Sequence, residues 1–117
     1  VLKKELQSFG HGFRGLKFLY QSQKHFRFHV VAALLVSGIG LWKHFSRIDW
    51  AIVLLCIGAV MMAEALNSAL ELVMDKLHPE QDAMIGKAKD MAAAGVLIVS
   101  LLSAVVGVLI IGPYFLG

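Results

Sequence analysis

Glu64, Asn67, Ser68, Glu71 and Asp75 punctuate one end of a long apolar run at spacings of three, four and seven residues. On a helix of 3.6 residues per turn they share a face, while Leu66, Leu70, Val73 and Met74 take much of the rest. The stretch before them, Trp50 to Ala63, is apolar without a break. Ionisable groups at the end of a membrane-length segment are costly, and in such places they mark function by default. A polar loop, His78 to Lys87, then leads to Lys89 and Asp90 at the threshold of another apolar run. Carboxylates, a carboxamide and a lysine together suit phosphate chemistry. Mg²⁺ takes oxygen ligands, usually one or two carboxylates plus substrate phosphates, and a lysine meets phosphate as a point charge. A carboxylate at the lipid edge is a candidate general base. A salt-bridged network tying helix ends together, or an ion path, would use the same residue types, and both readings stand beside the first.

The elements that must position these groups follow from the apolar pattern. The chain has 117 residues, 58% of them hydrophobic, gathered into three long blocks. A soluble chain of that length has too little interior to hide them, so the expected fold is a single all-α integral membrane domain. Residues 3–23 are expected to form an amphipathic helix at the membrane interface. Leu6, Phe9, Phe13, Leu16 and Tyr20 make its apolar stripe, and Lys3, Lys4, Arg14 and Lys17 carry positive charge suited to anionic headgroups. This basic, amphipathic start does not read as a signal peptide, and a chain opening at Val1 is expected to lack a short piece of its natural N-terminus. Three spanning helices are expected over residues 25–44, 48–77 and 88–111. Asp49 is the expected N-cap of the second, His78-Pro79 its stop, and Gly112-Pro113 the end of the third. His25, Arg27 and His29 read as interface contacts and not as metal ligands. Cys56, the single cysteine, lies inside an apolar run, so no intrachain disulfide forms. The segment Gly10 to Gly15 mimics a phosphate loop but lacks the strand and the Lys-Ser/Thr pair.

Depth separates the readings. A hydrocarbon layer about 30 Å thick takes about 20 helical residues, so from Ile48 the bilayer is nearly crossed at Asn67. Glu64 and Asn67 then sit near the far interface, with Glu71 and Asp75 beyond it. A transport path needs charge near the midplane, and Ala51 to Ala63 has none. Surface enzymology is the better reading, with a non-enzymatic membrane subunit as the alternative. Lys3, Lys4, Arg14, Lys17, Lys24, Arg27, Lys76, Lys87 and Lys89 fall on the side of the cluster, against Lys43 and Arg47 on the other. The positive-inside rule puts the N-terminus and the cluster in the cytoplasm and the C-terminus outside.

Two segments, AEALNSALELVMD (Ala63 to Asp75) and GKAKDMAAAGVL (Gly86 to Leu97), resemble the small prokaryotic diacylglycerol kinase family, which includes undecaprenol kinases. GFRGLK (Gly12 to Lys17) and HFRFH (His25 to His29) extend the resemblance over nearly the whole chain. It implies a homotrimeric kinase of the bacterial inner membrane with active sites shared between subunits. Its partners would be ATP with Mg²⁺ and a lipid acceptor from the bilayer, with no nucleic acid among them. The implied reaction converts diacylglycerol to phosphatidic acid, or undecaprenol to its phosphate. By motif, Glu64 matches the general base and Asn67 an essential asparagine beside it. Glu71 matches a carboxylate for Mg²⁺–ATP, with Asp75 a second acidic position for metal. Lys89 and Asp90 match residues at the nucleotide, and Lys4 and Arg14 are grouped with them as nucleotide-side cations. Gln23 departs from the pattern: it stands where the family usually has a metal-assisting glutamate, offering a carbonyl oxygen with one negative charge fewer.

Overall fold

A computed structural model describes all residues, 1–117. The chain folds into four helices: α1 (Leu2–Ser22), α2 (Lys24–Lys43), α3 (Arg47–Leu77) and α4 (Ala83–Leu116). The last three are long and apolar enough to cross a membrane, and α1 is not. The all-α architecture of three spans plus an N-terminal helix is therefore the one the hydropathy pattern calls for. α3 packs on both α4 and α2, and α1 packs on α2.

A single extended residue, Gln23 (φ −114°, ψ 110°), separates α1 from α2. No proline or glycine makes this break. Arg27, one turn into α2, reaches back instead, and its Nη1 donates to the carbonyls of Tyr20 and Gln21, each at 3.1 Å. Carbonyls in the last turn of a helix have no partner within it, so a guanidinium donor there stabilises the junction. Arg27 thus serves as a clamp between helices and not as a free headgroup contact.

At the opposite end, α2 stops at His44, the only non-glycine residue with positive φ (57°). The connection to α3 is so short that Ser46, and not Asp49, becomes the N-cap: Ser46 Oγ accepts from the Asp49 N–H at 3.1 Å. Asp49 is left free to accept the Tyr114 hydroxyl, which itself accepts from the Ser46 N–H at 3.0 Å. These bonds explain a second departure. α4 does not end at Gly112-Pro113 but continues to Leu116. Pro113 removes one N–H, but its own carbonyl accepts from Gly117 at 3.0 Å, and Tyr114 is tied across to the start of α3.

Aromatic packing closes this end. Phe45 stacks against Trp50 and Tyr114, Trp42 meets Phe115 edge-on, and the Lys43 ammonium lies 4.5 Å from the centres of both the Trp42 and Phe115 rings. Gly40 lets the rings approach, since a Cβ there would lie 2.7 Å from both Phe45 and Trp50.

The connection on the other side also differs from expectation. α4 begins at Ala83, so the loop is only His78 to Asp82 and Lys87 is already helical. Asp82 is the reason, because its Oδ1 accepts from the N–H groups of Met84 (2.8 Å) and Ile85 (3.2 Å). The N–H of Ile85, then that of Met84, and the charge of His78 hold its carboxyl below the ordinary 3.8.

Counted at about 1.5 Å per residue, the 31 residues of α3 run about 46 Å and the 34 of α4 about 51 Å. Their far ends are tied together at Ser46, Asp49 and Tyr114. Both therefore project about 15–20 Å past a 30 Å hydrocarbon layer on the side of the His78–Asp82 loop. The chain encloses very little: only 7 of 117 residues are buried, four of them in α3. Those four, Val53, Val60, Glu64 and Ser68, lie at steps of seven, four and four, so one inner stripe of α3 begins apolar and turns polar.

Two outcomes test these contacts. Gly40→Val should lower stability by about 1–3 kcal/mol through overpacking. Gly38→Ala, where a Cβ meets nothing within 4 Å, should leave a detergent melting curve unchanged. At Asp82 the folded pKa is depressed, so the cap's contribution is complete above the ordinary 3.8 and fades as pH falls through the lower folded-state value. Asp82→Ala should speed hydrogen exchange at the Met84 and Ile85 amides at neutral pH, and acidification below that value should do the same to the unmodified protein.

Candidate active site

Glu64 lies 17 residues into α3, about 26 Å from the start of the helix and close to the edge of a 30 Å hydrocarbon layer. Its side chain is 9% exposed. A carboxylate so far from water needs a partner, and α2 supplies one: His29 Nε2 lies 3.2 Å from Glu64 Oε1. The other oxygen, Oε2, has no partner within the chain.

One turn further toward the loop, the Asn67 amide donates to Glu71 Oε1 at 3.4 Å. Asn67 Oδ1 is buried and has no partner. Another turn on, Lys89 of α4 pairs with Asp75 of α3, both partly exposed. The helical period thus brings Glu64, Asn67, Glu71 and Asp75 onto one line, and the early start of α4 sets Lys89 against its end. Asp90 is exposed and bonded to nothing, and Gln23 is half-buried with its side chain free of hydrogen bonds. Lys4 and Arg14 stand exposed on α1, where Arg14 bonds only to His11, and neither joins the cluster within one chain.

His29 is the residue the sequence reading passed over. Grouped with His25 and Arg27 as an interface residue, it instead turns inward. The available signal was its helical alignment with Ala32, Ala33 and Val36, the apolar residues of α2 that line the inward groove.

His29 also stands at the head of an apolar groove of about 620 Å³ between α2, α3 and α4. Ala33, Val36, Cys56, Val60 and Ser103 line it, and it runs down to Ile111 and Gly112. On the loop side, Asp75, His78, Asp82, Gly86 and Lys89 border a polar hollow of about 560 Å³. The acidic line of α3 runs between the two: Glu64 contacts His29 of the apolar groove, and Asp75 borders the polar hollow.

No three His, Cys, Asp or Glu side chains converge to enclose a metal ion. The donors do fit an Mg²⁺ that arrives with phosphates and keeps waters, since one or two carboxylates suffice for it. Glu71 is placed to give a carboxylate oxygen, and the unpartnered buried Oδ1 of Asn67 is an oxygen still in need of a partner. Asp75 keeps one oxygen free beside the one that Lys89 holds.

Comparison with known proteins identifies the family of the chain. The family model for prokaryotic diacylglycerol kinase matches residues 10–111. The chain is 36% identical over 116 residues to an undecaprenol kinase of Bacillus subtilis, covering 96% of this chain and 91% of that one. It is 30% identical over 110 residues to a diacylglycerol kinase of Escherichia coli, covering 94% and 90%. A diacylglycerol kinase of Synechocystis is 32% identical over 103 residues, covering 87% of this chain and 59% of that one. With its three membrane-length helices and its carboxylates on one face of α3, the chain belongs to the prokaryotic diacylglycerol kinase family, a family of membrane lipid kinases.

Proposed function

We propose that the chain transfers the γ-phosphoryl group of ATP to the hydroxyl of a membrane lipid, with Glu64 as general base. The observation that carries this reading is the gradient along α3: a buried carboxylate in contact with His29, which lines an apolar groove, then groups suited to metal and phosphate one to three turns nearer the loop. A lipid hydroxyl and a water-soluble nucleotide can meet only at such a boundary. As the acceptor oxygen attacks the γ-phosphorus, its proton passes to Glu64. The bond to the β–γ bridging oxygen breaks, and ADP leaves with the electron pair. Phosphoryl transfer depends mostly on alignment and charge neutralisation, and a placed base adds a factor of about 10²–10⁴. Asn67 orients Glu71 and the substrate, and Lys89 and Asp90 face the nucleotide. Bound Mg²⁺, held by Glu71 with Asp75 and Gln23 as further oxygen donors, would neutralise phosphate charge.

Diacylglycerol is the acceptor by the family's description, giving phosphatidic acid. Undecaprenol is a second reading, favoured by the higher identity to an undecaprenol kinase. The excess of lysine and arginine on the N-terminal and loop side supports a cytoplasmic site in a bacterial inner membrane, with the C-terminus outside. A homotrimer is supported by how little one chain buries and by the separation of Lys4, Arg14 and Gln23 from the cluster. A second copy would bring these groups to the site and cover the exposed helix faces.

Glu64→Gln keeps size and removes the base. In mixed micelles with each lipid, ATP and Mg²⁺, it should cost at least about 100-fold in kcat with little change in the ATP requirement. Normal turnover in intact Glu64→Gln trimers would remove Glu64 from this role, and phosphorylation of neither lipid by the unmodified protein would leave the non-enzymatic reading. At Gln23, the glutamate substitution should lower the Mg²⁺ concentration needed for half-maximal activity. An unchanged titration means that the position lies outside the site.

A further inference from the structure

We infer that His29 is a positioning residue for Glu64, holding one carboxylate oxygen from the neighbouring helix so that the other faces the acceptor hydroxyl. This rests on the reading of Glu64 as the base and adds a residue of α2 to a site otherwise built from α3 and α4.

The cationic and amide donors near the acidic line are engaged elsewhere. Lys89 is committed to Asp75, the Asn67 amide to Glu71, and Arg27 to the end of α1. His29 is the only side chain within ion-pair or hydrogen-bond distance of Glu64. Both members are largely shielded, with side chains 19% and 9% exposed, so the contact is not a screened surface pair. The groove walls from α2, α3 and α4 contribute no charged group to compete for His29, and Cys56 is the only other titratable residue among them. The ring of Phe28 stands edge-on to the imidazole with centroids 5.5 Å apart.

The contact is made by Nε2, which lies at ion-pair distance from Oε1 of Glu64. One oxygen is then occupied and the rotamer fixed, while Oε2 stays free. A carboxylate with no such anchor would sample several rotamers at the groove head. A displacement of about 1 Å in a reacting group can cost about 100-fold in rate. His29 takes no proton from substrate in this scheme. It acts through Glu64 alone.

The test uses full-length protein in mixed micelles, with kcat and the KM for ATP measured per mole of intact oligomer. His29→Phe keeps a ring of similar volume and removes both nitrogens. It should lower kcat by about 10- to 100-fold while leaving the KM for ATP within about twofold. His29→Gln, which keeps a donor of similar reach, should recover most of the loss, whereas His29→Asn, polar but too short, should not. In a Glu64→Gln background, His29→Phe should cost nothing further, because the group it positions is gone. Near-normal kcat in His29→Phe beside a large loss in Glu64→Gln overturns this inference and keeps Glu64 as base. Near-normal kcat in Glu64→Gln overturns both. If His29→Phe does not assemble, the Gln and Asn variants decide: equal kcat in those two means that the reach of the donor is irrelevant and the inference fails.

Discussion

The structure depends most on one burial: a carboxylate, Glu64, placed on the inner stripe of a membrane helix. Val53 and Val60 precede it on that stripe and Ser68 follows, so the face that packs α3 against its neighbours also carries the acid. Removing an ionised group from water costs several kcal/mol unless another group compensates, and truncating one member of a buried pair leaves the other exposed to that cost. The arrangement of α2 against α3 is therefore more than helix packing. His29 reaches across from α2 to Glu64, and His29 itself lines an apolar groove between the helices. Structure and chemistry share the same few contacts.

Depth is fixed from the far end. The bonds among Ser46, Asp49 and Tyr114, together with the rings packed around Gly40, set the starting level of α3 against the end of α4. Everything at the loop side is then a matter of counting residues. A helix carries its register faithfully over many turns, so a contact at one face of the bilayer places Glu64 about 26 Å away. Asp82 supplies the matching control on the return. By capping α4 at Ala83 it makes Lys89 the seventh residue of a helix and not part of a loop, and this sets the lysine opposite Asp75.

Much of this could be read from residue order, and the failures have local causes. The polar line from Glu64 to Asp75 and the three apolar blocks were legible because both are periodic, and period is what a sequence displays most directly. Boundaries were harder. Asp49 and Ser46 are both good caps three residues apart, and the choice between them was made by Tyr114, some 65 positions from Asp49. Pro113 ends helices by default, but a tertiary bond to its neighbour held the last turn in place. Residues 83–87 looked like the end of the loop because Gly86 and Lys87 are polar or flexible, although Asp82 was present as a cap signal just upstream. His29 was missed for the same reason that Tyr114 was. Its partner lies on another helix, and nothing in the residues around it announces which way it faces.

The two charge pairs of the cluster differ in a way that orders events at the site. Lys89 and Asp75 are 37% and 62% exposed at their side chains, where an ion pair contributes about 0–1 kcal/mol and is easily exchanged. In the proposed reaction an arriving triphosphate would offer Lys89 more negative charge than one carboxylate does, and the exchange would leave both Asp75 oxygens open to a metal that travels with the phosphates. The His29–Glu64 pair is shielded and loses more when broken, so it persists through the same event. On the proposed function, one pair would yield to the nucleotide while the other holds Glu64, and their separation along α3 would keep the two roles apart.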